Sequence, residues 1–195
     1  MGKKTNDTPA LLIIDMVKDN FVENHHLPIT PFARAVIQPL NELIDVFRNQ
    51  KWPIVFSTDA FHEDDFIFKG RMRPHSLAGT TGAEVVDALD MQPDDLWLPK
   101  PRFSAFFNTG LEKWLRQKGV SLCAVGGMAT HFCVLTTVLD AICHDFKAVF
   151  LEDCSASVSK QVHAQTLDSY RRSPLYPLLR VEKSTDLVGE LLGSS

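Results

Sequence analysis

From Ala10 the chain reads ALLIIDM (10–16), and every position but Asp15 is apolar. An unbroken apolar, β-branched run of this length predicts a strand buried on both faces of a parallel sheet. The period then changes. PFARAVIQPLNELIDVFRNQ (31–50) carries its apolar residues at helical spacing, with Thr30 as cap and Pro31 in the first turn. Pro39 inside that helix predicts a kink or a break. WPIVFSTD (52–59) predicts a second strand, after which periodicity lapses across 60–80, FHEDDFIFKGRMRPHSLAGT and the alanine before it. A loop of that length in a compact domain is usually functional, and its three phenylalanines and two histidines suggest a packed one. Alternation resumes with a short helix over AEVVDAL (83–89), a strand LWLP (96–99) and a helix TGLEKWLRQKG (109–119). Next come a strand SLCAVGG (121–127), a helix THFCVLTTVLDAICHD (130–145) and a strand KAVFLED (147–153). A helix over 158–170, a strand LLRVEK (178–183) and a last turn STDLVGELL complete the pattern. This rhythm specifies an α/β protein: a three-layer α/β/α sandwich with a mostly parallel, Rossmann-like sheet flanked by helices.

Composition narrows the classes. The 195 residues are expected to form one domain, 1–195, with 1–9 as a flexible tail. Net charge is −4, and the one basic knot, Lys69, Arg71 and Arg73, sits beside Glu63, Asp64 and Asp65, which argues against a nucleic-acid partner. The apolar run LLII stops at Asp15, too short for a signal-peptide core or a membrane span, so no membrane partner is expected. Cys123, Cys133, Cys143 and Cys154 include no CxxC pair and are read as free thiols in a reducing cytoplasm.

In open parallel sheets ligands collect beyond the carboxyl ends of the strands. Asp15, Asp59, Lys100 and Cys133 all fall there. Cys133 lies near a helix N-terminus, where unsatisfied N–H groups and the dipole stabilise a thiolate and could meet an oxyanion. Gly126-Gly127 before it permits a sharp turn and close backbone approach. The competing reading is a buried core cysteine, which is the assignment for Cys123, Cys143 and Cys154. His131 is a poor base for Cys133, because residues two apart on a helix face different ways, and is read as a rim or substrate contact. Asp15 is the better base candidate, and Lys100 would supply positive charge. Their alternatives are a helix-capping carboxylate and a surface salt bridge. Phe21, Phe61, Phe66, Phe103, Phe106 and Phe107 could line a pocket for a compact planar or apolar amide. Arg71, Arg73 and Arg102 could recognise a carboxylate.

These residues carry a resemblance. LLIIDMVKDNF, PKPRFSAFFNTGLEKWL and VGGMATHFCVLTTVLDA, with RPHSLAGTTGAEV and VFLEDCSAS, occur in the order seen in the isochorismatase-like superfamily of cysteine hydrolases. That superfamily includes nicotinamidases, ureidoacrylate and N-carbamoylsarcosine amidohydrolases, and isochorismatases. The resemblance spans roughly residues 10–183 and implies a triad of Asp15 as base, Lys100 as charge stabiliser and Cys133 as nucleophile, working through a thioester acyl-enzyme. It implies a cis peptide at Met128–Ala129 and an oxyanion hole from the Ala129 and Cys133 amides. It implies a small amide, urea-like or N-carbamoyl substrate and a homo-oligomer, dimer or tetramer. The alternatives are a vinyl ether hydrolase of the isochorismatase type, a nicotinamidase proper if a metal is bound, and a non-catalytic interaction scaffold. The triad requires no cofactor. Nicotinamidases hold a metal with an Asp-x-His pair and a later His; here Asp59 and His75 match, but the intervening position is Phe61. Either His62 replaces the missing ligand for Zn²⁺, Fe²⁺ or Mn²⁺, or the Phe61 ring fills the space.

Overall fold

The computed structural model describes residues 7–23 and 27–193. Six strands, β1 (Pro9–Ile14), β2 (Ile54–Asp59), β3 (Leu96–Lys100), β4 (Leu122–Met128), β5 (Lys147–Ala156) and β6 (Leu179–Glu182), form one sheet in the order β3-β2-β1-β4-β5-β6. Every neighbouring pair is parallel. The chain therefore winds outward twice from β1, and the direction of winding reverses between β1 and β4. β1 and β2 are buried along their whole length, β1 as its unbroken apolar run requires and β2 even through its polar end, Ser57, Thr58 and Asp59.

Both faces of the sheet are covered, and alternate residues of β1 go to opposite faces. Leu11 and Ile13 join the core formed by α1 (Thr30–Ala35), α2 (Ile37–Asn49) and α6 (Ser184–Leu192), with Leu40, Ile44, Phe47, Leu187 and Leu191 at its centre. Leu12 and Ile14 join the core under α3 (Leu111–Gln117), α4 (Leu135–Cys143) and α5 (Lys160–Arg171), where Leu111, Leu115, Val138, Ala141 and Leu167 meet them. The protein is a three-layer α/β/α sandwich.

Several elements differ from the sequence pattern, each for a local reason. The break in the first helix falls at Val36, not Pro39. Pro39 is the third residue of α2, within a first turn whose N–H groups have no intrahelical partner, so its missing donor costs nothing there. No helix covers 83–89. After a 3-10 turn at Thr81–Ala83, the Glu84 carbonyl accepts from the Lys18 amide at 2.9 Å and the Val86 amide donates to Met16 at 2.9 Å. Val17 and Val85 bridge antiparallel. The segment spends its backbone groups extending the chain after β1, which suits its β-branched valines. The last turn is a nine-residue helix, α6, because Leu187 and Leu191 find the core one helical turn apart. Its entry is held by Asp153, which accepts from both the Ser184 amide and hydroxyl. Of the tail expected over 1–9, residues 1–6 lie outside the described residues; Asp7 pairs with Lys147 at 2.8 Å and Pro9 opens β1.

Candidate active site

The register of β2 and β3 sets Asp59 beside Lys100 at the carboxyl ends of their strands. Asp15 follows β1 directly, in left-handed backbone with φ 52°. An aspartate adopts that conformation more readily than most residues. Here neighbouring groups fix it: the Asp15 amide donates to Ser57 at 2.8 Å, and its carbonyl accepts from the Asn20 side chain at 3.1 Å and from the Val17 amide at 2.9 Å. The turn aims the carboxylate across the strand ends. One oxygen accepts from the Asp59 amide at 2.7 Å and the other from Lys100 Nζ at 2.9 Å. Lys100 Nζ also donates to Asp59 Oδ1. The lysine side chain is fully buried and both carboxylates are nearly so.

Cys133 reaches this cluster from β4 through a distorted turn. Gly127, at φ 109°, is where glycine is required: a Cβ would lie 2.1 Å from the Ile14 carbonyl oxygen. Gly126 packs the other way, against the Cys154 backbone. The glycine pair thus serves close packing of β4 between its neighbours. The Met128–Ala129 peptide is cis, and Thr130–Val134 form a π-helical turn before α4. Extra residues in a turn of this kind re-aim side chains relative to a regular helix. The thiol of Cys133 is buried, and its sulfur lies within 4.8 Å of a carboxylate oxygen of Asp15 and of Asp59.

The electrostatics follow from burial. Desolvation pushes Asp59 up to about 7, reinforced by the charge of Asp15 and opposed by Lys100. Burial works against the Lys100 ammonium, yet the carboxylates of Asp15 and Asp59 on its Nζ more than offset it and favour the protonated lysine. Burial raises the Cys133 thiol well above its usual range, and the charge of Asp15 adds to this while Lys100 opposes it. Burial thus favours a neutral thiol beside Asp15 and opposes the thiolate that a helix N-terminus would favour.

A cavity of about 710 Å³ opens onto the cluster. Asp15, Asp59 and Cys133 are its buried floor, with Met128 and Ala129 beside them. Phe61 and Phe103 line it, as do Phe132, Leu27, Ile29, Met72, Asp19 and Asn20, which pattern reading did not single out. Phe132 could have been found from its place beside Cys133; Leu27 and Ile29 carry no local signal. The other candidates lie elsewhere. Phe66 is 74% exposed, Phe21 packs in the core under the Arg34 guanidinium, and Phe106 stacks on His144. Phe107 is exposed and is not among the lining residues. His131 turns away, its Nδ1 2.7 Å from the Ser157 hydroxyl. Arg71 and Arg73 line the cavity, whereas Arg102 is paired with Asp65 at 2.9 Å.

The metal question divides between two donor sets. Phe61 is 1% exposed, its ring against those of Phe68 and His75, while His62 is exposed and His75 Nδ1 is engaged by the Arg73 carbonyl at 2.9 Å. The loop register therefore leaves Asp59, His62 and His75 unassembled as a ligand set. Asp15, Asp59 and Cys133 do bring donor atoms within 4.8 Å of one another, a set that could hold a divalent ion. Lys100 Nζ already bridges the two carboxylates, so any cation there competes with the ammonium.

A doubly wound parallel sheet carrying a cysteine, an aspartate and a lysine at its carboxyl edge is the architecture of the isochorismatase-like cysteine hydrolases. The isochorismatase domain model matches residues 9–179, and the chain belongs to this family. An isochorismatase-like hydrolase from Alkaliphilus metalliredigens superposes with a TM-score of 0.82 at 27% identity, covering 93% of this chain and 97% of that one. N-carbamoylsarcosine amidase from Thermoplasma acidophilum superposes at 0.77 with 29% identity, covering 91% and 96%. A ureidoacrylate amidohydrolase from Enterobacter sp. is 39% identical over 172 residues, 75% of this chain and 74% of that protein.

Proposed function

We propose that the protein is a cysteine amidohydrolase that cleaves the C–N bond of a small carboxamide, urea-like or N-carbamoyl compound. The observation that carries this reading is the buried thiol of Cys133, its sulfur within 4.8 Å of an Asp15 carboxylate oxygen, on the floor of a cavity large enough for a small molecule. The relatives support it at the level of reaction class: amidohydrolases and amidases acting on ureidoacrylate and N-carbamoylsarcosine.

In this mechanism Asp15 takes the thiol proton as the Cys133 sulfur attacks the substrate carbonyl carbon. The S–C bond forms and the carbonyl pair moves to oxygen, where the Ala129 and Cys133 amides stabilise it. Collapse re-forms the carbonyl and breaks the C–N bond. The departing nitrogen takes the proton from Asp15 and leaves as ammonia or an amine. Water then attacks the thioester, giving its proton to Asp15; the S–C bond breaks, and the thiolate recovers that proton. Lys100 holds Asp15 in place throughout and keeps Asp59 from repelling it. No step needs a metal.

Ammonia release from purified protein tests the reading, across nicotinamide, ureidoacrylate, N-carbamoyl amino acids, biuret and small aliphatic amides. Turnover of one compound that disappears in Cys133→Ala is the expected result. Folded protein that hydrolyses none of them, with Cys133 unreactive toward every amide-derived electrophile, overturns it. We also place the protein in the cytoplasm as one domain and a homo-oligomer, dimer or tetramer. Its four free cysteines support the first, and the exposed Tyr176 and Leu178 support the last. No described helix is long and apolar enough to cross a membrane.

A further inference from the structure

The cavity runs from a buried acidic floor to an exposed rim, and the two ends differ in how their charges are satisfied. At the floor Asp15 and Asp59 share the Lys100 ammonium. Asp19, also on the wall, accepts from the Ser76 amide at 2.7 Å and is pressed against Gly82, where a Cβ would lie 2.2 Å from its carboxylate. At the rim Arg71 and Arg73 are both exposed and both line the cavity, and neither guanidinium makes an ion pair or hydrogen bond among the described residues. Two nearby basic residues are used otherwise. Arg102 is committed to Asp65, and His75 Nδ1 donates to the Arg73 backbone carbonyl, which ties the loop and leaves the arginine side chain out of that contact.

Arg71 and Arg73 thus border one small cavity with no acidic partner among the described residues, which leaves their charge available to an anion. Guanidinium forks match a carboxylate with two parallel hydrogen bonds. Between rim and floor the wall is apolar, from Leu27, Ile29, Phe61, Phe103 and Phe132. Such a wall fits a short carbon skeleton joining the two polar ends. The volume, about 710 Å³, leaves room beyond a bare amide. We propose that Arg71 and Arg73 form an anion subsite, so that the molecule presented to Cys133 carries a carboxylate at the end opposite its scissile amide or carbamoyl group. This rests on the amidohydrolase reading for the floor of the cavity, and it selects one branch of that reading: small anionic amides over neutral ones such as nicotinamide.

The test separates binding from turnover. The probes are N-carbamoylglycine and its uncharged methylamide, titrated calorimetrically into the Cys133→Ala protein and assayed for ammonia release with the unaltered enzyme. The expected result is that the carboxylate binds at least about tenfold tighter than the methylamide, a preference that weakens with salt. Arg71→Gln and Arg73→Gln should each weaken carboxylate binding roughly tenfold or more while moving methylamide binding less than about twofold. Both residues are exposed, and unchanged thermal melting confirms that the fold survives. Where turnover is seen, the loss should appear in KM and not in kcat. Equal affinity for the two probes, no binding of either at millimolar concentration, or equal losses for both in the variants overturns the proposal. Charge-selective binding without ammonia release would uphold the subsite and instead remove the hydrolase reading.

Discussion

Lys100 is the residue on which the buried polar cluster depends. Replacing it with methionine keeps the volume but leaves Asp15 and Asp59 facing each other without a counter-ion. Breaking a buried pair in this way typically costs about 3–5 kcal/mol. Lys100→Met should therefore lower unfolding free energy by that order at pH 8 in a denaturant titration, and by less at pH 5, where a proton can replace the missing charge. Asp59 makes a second prediction at this scale. Burial raises its folded pKa to about 7 from the ordinary aspartate value of 3.8, so the native state binds more protons than the unfolded chain between those values. Stability from this group falls as pH rises through that window. Asp59→Asn should flatten the stability profile between about pH 4 and 7, and an unchanged slope would mean that the carboxylate does not titrate there. For Cys133 the sign is that of a raised thiol: alkylation by iodoacetamide should keep accelerating beyond pH 9, without the plateau below 7 that a preformed thiolate would give. The four polar positions were legible in the sequence because each ends a strand or opens a helix. Their protonation was not, since it depends on burial and on neighbours about 40 to 85 positions away along the chain, distances set by the sheet and not by the local pattern.

At the scale of elements, the link between β4 and α4 is the demanding piece. Gly127→Ala would force a side chain into left-handed backbone and push its Cβ into the Ile14 carbonyl. Gly79, at φ 79°, has open space around it, so its alanine variant bears only the conformational cost, about 1–2 kcal/mol. Gly127→Ala should cost clearly more than Gly79→Ala in equilibrium unfolding; equal losses would mean β1 and β4 can separate to admit a methyl group. The GG pair is visible in the sequence as a backbone signal, and the structure adds that these glycines let β4 approach β1 at Ile14 and β5 at Cys154. The same limit explains the missing helix at 83–89. Its apolar spacing suited a helix, yet Met16 and Lys18 offered backbone partners that local periodicity does not reveal.

For the whole molecule, the sheet brings Asp15, Asp59 and Cys133 to one point and sets Lys100 among them, which decides how metals should act. Dialysis against EDTA should leave hydrolysis unchanged. Excess Zn²⁺ should inhibit, because the ion competes with the Lys100 ammonium for the two carboxylates and ligates the thiol. Loss of activity on chelation, restored by zinc, would reverse that order. The sequence by itself determined the alternation of strands and helices, the parallel sheet and the identity of the reactive side chains, because period and residue type are local properties. Only the tertiary structure decided the rest. It buried the cluster, which set the charge on the cysteine and on Asp59; it turned His131 and Phe66 away from the cavity and brought Phe132, Leu27 and Ile29 into its wall; and it packed Phe61 against His75 while leaving His62 in solvent. Each of these depends on which segments become neighbours in space, and that is fixed when the two hydrophobic faces of the sheet are covered, not by any one stretch of chain.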